Sequence, residues 1–371
     1  MARLLFRSKN SIKRMLFIIA YVFTFSAIGY FASVNHRHFE RAMIEQAQAQ
    51  LFIIAKSEAQ SIEKYISDIQ DELEVLSLDP TIRRITTTQY SKGARVEYYG
   101  PLEASYRGVK KLVDAIYLIN SSGVVLSSSP FREGVAGEDL SGLPDVKAVL
   151  ADNESRVSRI FTTAGSPAIS VLQPIFEQDK PVGLFRAVIF LDRIDNLLSH
   201  INQFGQGYAI VIDSNSEMLS GPIKEKIGSS VSSILKGRPA MDMAAGREGT
   251  AILMLPSAEN LSKEERTLMA YTPIEIENGA WSIAVTRPYA AISKPIGINT
   301  RDNIFFMAFI LVVLIVMGSA FLRSRKKQTQ LAVSAEALKI INKQLHLDID
   351  KRKDVEEALN KCIEETRRKV K

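Results

Sequence analysis

The chain has 371 residues, 46% of them hydrophobic and 24% charged, with 20 Gly and 13 Pro, which excludes global disorder and a collagen-like repeat and leaves room for two or three compact units. A single cysteine, Cys362, excludes an internal disulfide framework and any multi-cysteine metal site. Forty-seven Lys and Arg against 41 Asp and Glu give +6 and a pI near 9.2, a nucleic-acid signature only if the excess sits on one folded face.

The first fourteen residues carry Arg3, Arg7, Lys9, Lys13 and Arg14 and no acid. Met15–Val34 then runs without a charge, and at about 1.5 Å per residue a helix of that length crosses a hydrocarbon core of ~30 Å. The run has no amphipathic period, which argues against a buried core helix. It also exceeds the ~7 to 15 apolar residues of a cleaved leader, and no A-x-A site follows. Residues 36–79 are rich in helix formers and free of Gly and Pro up to Asp79-Pro80. Within them Phe52, Ala55, Ala59, Ile62, Ile66, Ile69, Leu73 and Leu76 recur at spacings of three and four, forming one apolar seam. That seam packs on its own domain, on a second copy, or on both in turn.

From Lys110 the pattern changes to short β-rich runs. AIYLIN, residues 115–120, and VVLSSS flank Ser121-Ser122-Gly123 as a hairpin; SRIFTT, AISVLQPIF and VGLFRAVIFLD follow with turn residues between. A second set begins at YAIVIDSNSEML and continues with GTAILML, RTLMAYTPI and AWSIAVTRPY. Both sets run strand, polar turn, strand, insert, further strands, which predicts two similar antiparallel units in tandem rather than a βαβ sheet. Residues 304–322 form a second uncharged run, followed at once by Arg323, Arg325, Lys326 and Lys327.

Basic flanks stay on the cytoplasmic side, so both ends are expected inside and residues 35–303 outside, periplasmic or extracellular at a bacterial inner membrane. Residues 323–371 hold 14 Lys and Arg against 8 Asp and Glu. The stretch between the basic ends holds 28 against 33. The segment with room for a core is therefore mildly acidic, and nucleic acid is excluded as a partner.

YLINSSGVVLSSS, GEDLSGLPDVKAVL, ISVLQPIFEQDKPVGLFRAVIFLDRIDNLL, YAIVIDSNSEMLSGP and MAYTPIEIENGAWSIAVTRP, in that order, resemble the double Cache extracellular sensor domain, a tandem PAS-like domain, over roughly residues 36 to 298. The resemblance implies an α+β fold. A long juxtamembrane helix (36–79) leads into a membrane-distal PAS-like unit (80–200) and a membrane-proximal one (201–298), flanked by transmembrane helices at 15–34 and 304–322. LHLDIDKRKDVEEALNKCIEETRRK resembles the linker that precedes PAS, histidine kinase or diguanylate cyclase modules. Its Leu331, Leu338, Leu345 and Leu359 share a heptad phase, with Ile341, Val355 and Cys362 on the companion position. Residues 323–371 are accordingly expected to be a cytoplasmic coiled-coil helix, with the output module either lost by truncation or supplied by a separate kinase or cyclase effector.

Amino-acid-binding members of the family place an Arg and aromatic residues after a G-x-D-L-S-like stretch and an Asp on a later strand. Here Leu143, Asp145, Val146 and Val188 stand at those positions, so the resemblance carries over no amine-recognising carboxylate. By alternation Arg186, Val188 and Phe190 share a strand face. If that face lines the site, Arg186 can pair with a carboxylate or phosphate, with Tyr117 and Ser170 as further binding candidates; otherwise Arg186 is a strand-edge side chain in water. His36, His38, His200 and His346 lack metal-ligand spacing, and no kinase, cyclase or hydrolase motif is present. The expected function is a transmembrane receptor for a small molecule, homodimeric, in contact with lipid, without a cofactor, metal or enzymatic activity. A membrane-anchored scaffold using the same outer domain is the alternative.

Overall fold

The computed structural model describes residues 2–87, 95–203, 207–257, 260–277 and 279–369; side chains are described for most of these, excluding those at 2–18, 20, 21, 28, 32, 95–98, 202–203, 294–304, 322 and 365–369. The fold is α+β. Two compact units divide the chain at Gly297/Ile298.

In the first unit, α1 (Ala2–Ser77) is one uninterrupted helix, so the first uncharged run and the amphipathic helix after it are a single element. It stops where Asp79 accepts from the backbone N–H of Thr81 at 2.7 Å, which caps α2 (Pro80–Thr87) in the usual carboxylate manner. Next come α3 (Arg95–Val109), β1 (Ala115–Asn120), β2 (Val125–Ser129), α4 (Pro144–Asp152), β3 (Arg156–Val157), β4 (Phe161–Thr163), β5 (Ser166–Glu177) and β6 (Lys180–Phe190). These strands form one antiparallel sheet in the order β2-β1-β6-β5-β3, with β4 also on β5. Two tight turns close its hairpins. Ala164-Gly165 and Gln178-Asp179 both take positive φ at each central residue, the geometry that matches the twist of paired strands.

Two short helices, α5 (Leu191–Leu197) and α6 (Ser199–Gln203), lead to the second sheet. It comprises β7 (Ala209–Ile212), β8 (Met218–Ser220), β9 (Gly249–Pro256), β10 (Glu264–Ile276) and β11 (Gly279–Pro288), with α7 (Arg238–Ala244) in the insert, and runs β8-β7-β11-β10-β9. Two outer strands from a first hairpin pair with a later hairpin in both sheets, so the expected tandem of similar antiparallel units is present.

The helix seam decides how the sheets are held. Ala55, Ala59, Ile62, Ile66, Ile69 and Leu73 are all buried, while Phe52 and Leu76 are partly so. They share one continuous core with Ile116, Leu118, Val171 and Phe185 of the first sheet and with Leu268, Ile274, Trp281 and Ile283 of the second. The seam is thus spent on its own chain, packing on β5, β10 and β11. Because successive strand residues point to opposite faces, each sheet turns one face to α1 and leaves the other for a separate cluster.

The second unit, Ile298–Lys371, is helical over its described residues, 298–369, which belong to α8 (Tyr289–Lys369). Its stretch from Phe305 contains a window of mean hydropathy 2.8 with no buried residue, long and apolar enough to cross a membrane by length and composition. Further on, Leu331, Leu338, Leu345, Val355 and Leu359 are exposed. In the first uncharged run the backbone is helical, and Val22, Phe23, Phe25, Tyr30 and Phe31 are exposed; the side chains of residues 15–18, 20, 21, 28 and 32 lie outside the described set.

Candidate functional site

The face of the first sheet turned away from α1 brings the three residues singled out from the sequence onto three neighbouring strands. Tyr117 on β1 stands opposite Arg186 on β6; Arg186 stands opposite Leu172 on β5, and Val188 opposite Ser170. Alternation puts Ala115, Ile119, Leu172, Leu184 and Val188 around them, with Val146 and Val149 of α4, Leu140 and Phe161 packed over the same face. Arg186 is therefore a half-buried residue in an apolar setting, not a strand-edge side chain in water.

Its contacts are few. Nε donates to Ser170 Oγ at 3.0 Å, and the guanidinium carbon lies 4.3 Å from the centre of the Phe161 ring, a cation–π contact. Ser170 is fully buried and is fixed in turn by its backbone N–H, which donates to Ser158 Oγ at 2.8 Å. A second arginine reaches the same place from the loop after β2. Arg132 Nη1 lies 3.5 Å from the Tyr117 hydroxyl and 3.4 Å from Thr163 Oγ1. Burial holds the Arg186 guanidinium below its ordinary pKa, and the nearby Tyr117, Asp145 and Glu138 pull it back up. Among the described residues, Arg107, Arg156, Arg193, Arg238 and Arg247 all have carboxylate partners. Arg186 and Arg132 have none among the described residues, and neither do Arg83, Arg159, Arg266 and Arg287, but only Arg186 and Arg132 meet at this sheet face.

The corresponding face of the second sheet differs in this respect. Met218, Leu235, Met243, Met269 and Tyr208 fill it. Its polar group is satisfied internally: Tyr271 donates to Asp242 Oδ2 at 3.0 Å, and Asp242 pairs with Arg247 at 2.8 Å. The first sheet face thus has two guanidinium groups beside hydroxyls, one from β6 and one from the loop after β2, a donor set of the kind that matches an anion.

The frame around it is tied together by hydrogen bonds. Just before β1, Asp114 accepts from Arg193 Nε at 2.9 and 3.0 Å and from the backbone N–H of Phe190 at 2.8 Å. Arg193 also donates to the Lys111 carbonyl at 2.6 Å. Tyr65 of α1 donates to the Leu112 carbonyl. Burial, with Asp114 adding to it and Arg193 opposing, pushes the Tyr65 phenol up to about 12. A separate cleft of about 680 Å³ lies between α1, β5 and the β10–β11 turn, lined by Glu63, Glu74, Glu154, Glu275 and Glu277 among others. Gln70 spans it, donating to Ser155 Oγ at 3.0 Å and Glu277 Oε2 at 3.2 Å.

Sequence reasoning missed Arg132, Phe161 and Thr163. Phe161 and Thr163 were legible as alternate residues of one short strand; Arg132 sits in an aperiodic loop and had no such signal. Of the positions compared with the amino-acid binders, Val146 and Val188 are buried in the apolar part of the face and Leu143 is exposed.

A family model described as Cache domain matches residues 39–296. The chain belongs to the Cache domain family. Solved structures agree with this Cache fold: 135 chains match. The ligand-binding domain of the Pseudomonas fluorescens chemoreceptor CtaA, in complex with L-alanine, superimposes with a TM-score of 0.52 at 16% identity, covering 66% of this chain and 98% of that one. For the periplasmic sensory domain of the Campylobacter jejuni chemoreceptor Tlp1 the values are 0.51, 14%, 68% and 99%. An extracellular ligand binding receptor from Desulfohalobium retbaense gives 0.51 at 16% identity over 64% of this chain, which spans 40% of that chain's length. No curated protein matches. At such identities the structural likeness concerns the fold alone.

Proposed function

We propose that this Cache chain is the sensory part of a membrane receptor, in which the face of the first sheet carrying Tyr117, Ser170 and Arg186 binds a small molecule outside the membrane. The observation that carries this reading is the pair of arginines without carboxylate partners among the described residues, held over an apolar sheet face in a sensor fold. A withdrawn cation without an anion is costly, and a binding site is where such a cost is tolerated. The chemoreceptor domains with the same fold, one of them solved with L-alanine, support a small-molecule role.

In this reading residues 15–34 and 304–322 cross the bacterial inner membrane, residues 1–14 and 323–371 are cytoplasmic, and residues 35–303 are periplasmic or extracellular. Residues 80–200 form the membrane-distal unit and 201–298 the proximal one. The chain works as a homodimer in lipid, and its cytoplasmic helix pairs as a coiled coil that acts on a separate kinase or cyclase effector. Signal passes because the ligand favours one of two arrangements, since equal affinity for both would shift nothing. Tyr289 at the start of α8 donates to Glu40 of α1, and Arg266 of β10 stacks on the Tyr289 ring at 4.2 Å, so the two helices meet beside the second sheet. The test is a thermal-shift screen of the full chain in lipid nanodiscs against organic acids, amino acids, amines and purines. A ligand at ~100 times its dissociation constant adds ~2.7 kcal/mol; a panel that leaves the melting transition unmoved refutes the sensor reading.

A further inference from the structure

The three strands that make the site can be inventoried by charge. Facing it are Ala115, Tyr117 and Ile119 from β1, Ala168, Ser170 and Leu172 from β5, and Leu184, Arg186, Val188 and Phe190 from β6. That set contains one cation and no acid. The loop after β2 adds a second cation, Arg132, against Tyr117 and Thr163. The carboxylates nearest in effect to Arg186 are Glu138 and Asp145 of the covering segment. Glu138 is exposed, and Asp145 lines a different cleft, shared with Arg156, Arg159 and Asp213.

We infer that the ligand of this site is an organic carboxylate without an ammonium group, its carboxylate held between Arg132 and Arg186 and its carbon skeleton against Phe161 and Phe190, the partly exposed aromatic side chains of that face. The inference rests on the sensor reading above and concerns only the chemistry of what is sensed. An ammonium withdrawn from water needs a carboxylate or several carbonyl acceptors, and the sheet face offers side-chain hydroxyls and two guanidinium groups that would repel it. A carboxylate meets the opposite situation. Arginine presents a planar fork that matches it, and the Tyr117 and Thr163 hydroxyls stand ready to donate to the same anion. Inorganic phosphate shares the charge but has nothing to lay on the apolar residues.

Matched pairs that differ only in the amino group test this: propanoate with L-alanine, 4-methylpentanoate with L-leucine, succinate with L-aspartate, and inorganic phosphate as the bare anion. Binding is measured by calorimetry on the full chain in nanodiscs. The expected result is at least tenfold tighter binding of the acid than of its amino partner in one pair or more. Arg132→Ala, a loop change that spares the sheet, and Arg186→Lys, which keeps charge but removes the fork, are each expected to weaken that binding at least tenfold. Equal or tighter binding of the amino acids overturns the inference and leaves the sensor reading standing. So does preference for phosphate, or binding that neither variant weakens. Silence across all pairs and phosphate overturns the inference, and the wider panel with amines and purines then decides the sensor reading.

Discussion

Replacing Arg186 by methionine, together with Ser170→Ala so that no buried hydroxyl is orphaned, separates a binding residue from a structural one. A charge withdrawn from water without an ionic partner costs several kcal/mol, about 5 as a central figure. Against that stand the cation–π contact with Phe161 at 4.3 Å, about 1 kcal/mol, and the bond to Ser170 Oγ at 3.0 Å, about 2 kcal/mol. Roughly 2 kcal/mol of net cost remains, and since Arg186 is only half-buried about half of it survives. Methionine fills similar space among apolar neighbours. The double variant is therefore expected to be more stable than the parent by about 1 kcal/mol, which raises the melting temperature by ~2 to 4 °C for a unit of this size. Ligand-dependent stabilisation should disappear at the same time. Thermal unfolding followed through the single tryptophan, buried Trp281, gives the readout without a label. A fall of several degrees would refute the reasoning, because it would mean that the protein already supplies Arg186 with the stabilisation assigned here to a ligand.

Asp114→Ala removes the acceptor for Phe190 N–H and for Arg193; with bonds to charged groups worth about 1.5 to 3 kcal/mol each and water replacing part of the loss, a destabilisation of about 2 to 4 kcal/mol is expected in chemical unfolding. Gly183→Ala places a Cβ 2.2 Å from the Ile119 carbonyl oxygen and 2.3 Å from Thr86 Cγ2. Backbone cannot yield as a side chain can, so a loss of about 1 to 3 kcal/mol should appear as a lower denaturant midpoint. The Tyr65 phenol, pushed up to about 12 from 10.0, resists ionisation in the folded state more than in the unfolded one. Its contribution is whole below pH 10 and falls between pH 10 and 12, so the stability-against-pH slope there should be shallower in Tyr65→Phe.

How much of this was legible varied with the kind of signal. The helix seam was read nearly residue by residue, because a period of 3.6 sustained over six turns has few alternatives. The first strand was placed at its observed bounds, since AIYLIN ends in a turn that only Gly123 closes, at φ 81 with Ser141 against its α-carbon. The seam's occupant was not legible: periodicity says that a face is buried and not what buries it, and here both sheets do so. Nor were α2 and α3 read: α2 is only eight residues long, too short for its apolar face to stand out, and α3 has a weak pattern with Pro101 inside it. Tyr117, Ser170 and Arg186 could be named singly, but their meeting depends on β6 lying between β1 and β5, a pairing that no local pattern encodes.

That strand order also accounts for why one sheet carries a polar site and its twin does not. In both sheets the late hairpin supplies the central strand, β6 in one and β11 in the other. At the centre, a side chain on the face away from α1 is flanked by a neighbouring strand on each side. β11 presents Ala284 there, and methionines and Leu235 close over it. Methionine suits such a filling role because it is unbranched and adapts to irregular gaps. β6 presents Arg186 between Leu184 and Val188, where a long charged side chain prevents the same closure, and its neighbours are a serine, a tyrosine and an aromatic ring rather than a carboxylate. A buried Asp on β5 or β1 would have neutralised it at little cost to the fold. Over the second sheet the buried carboxylate, Asp242 of α7, is met by the exposed Arg247 from the loop that follows. At the central position of the first sheet no such partner stands beside Arg186 among the described residues, and under the proposed function that is where a ligand would supply the counter-charge.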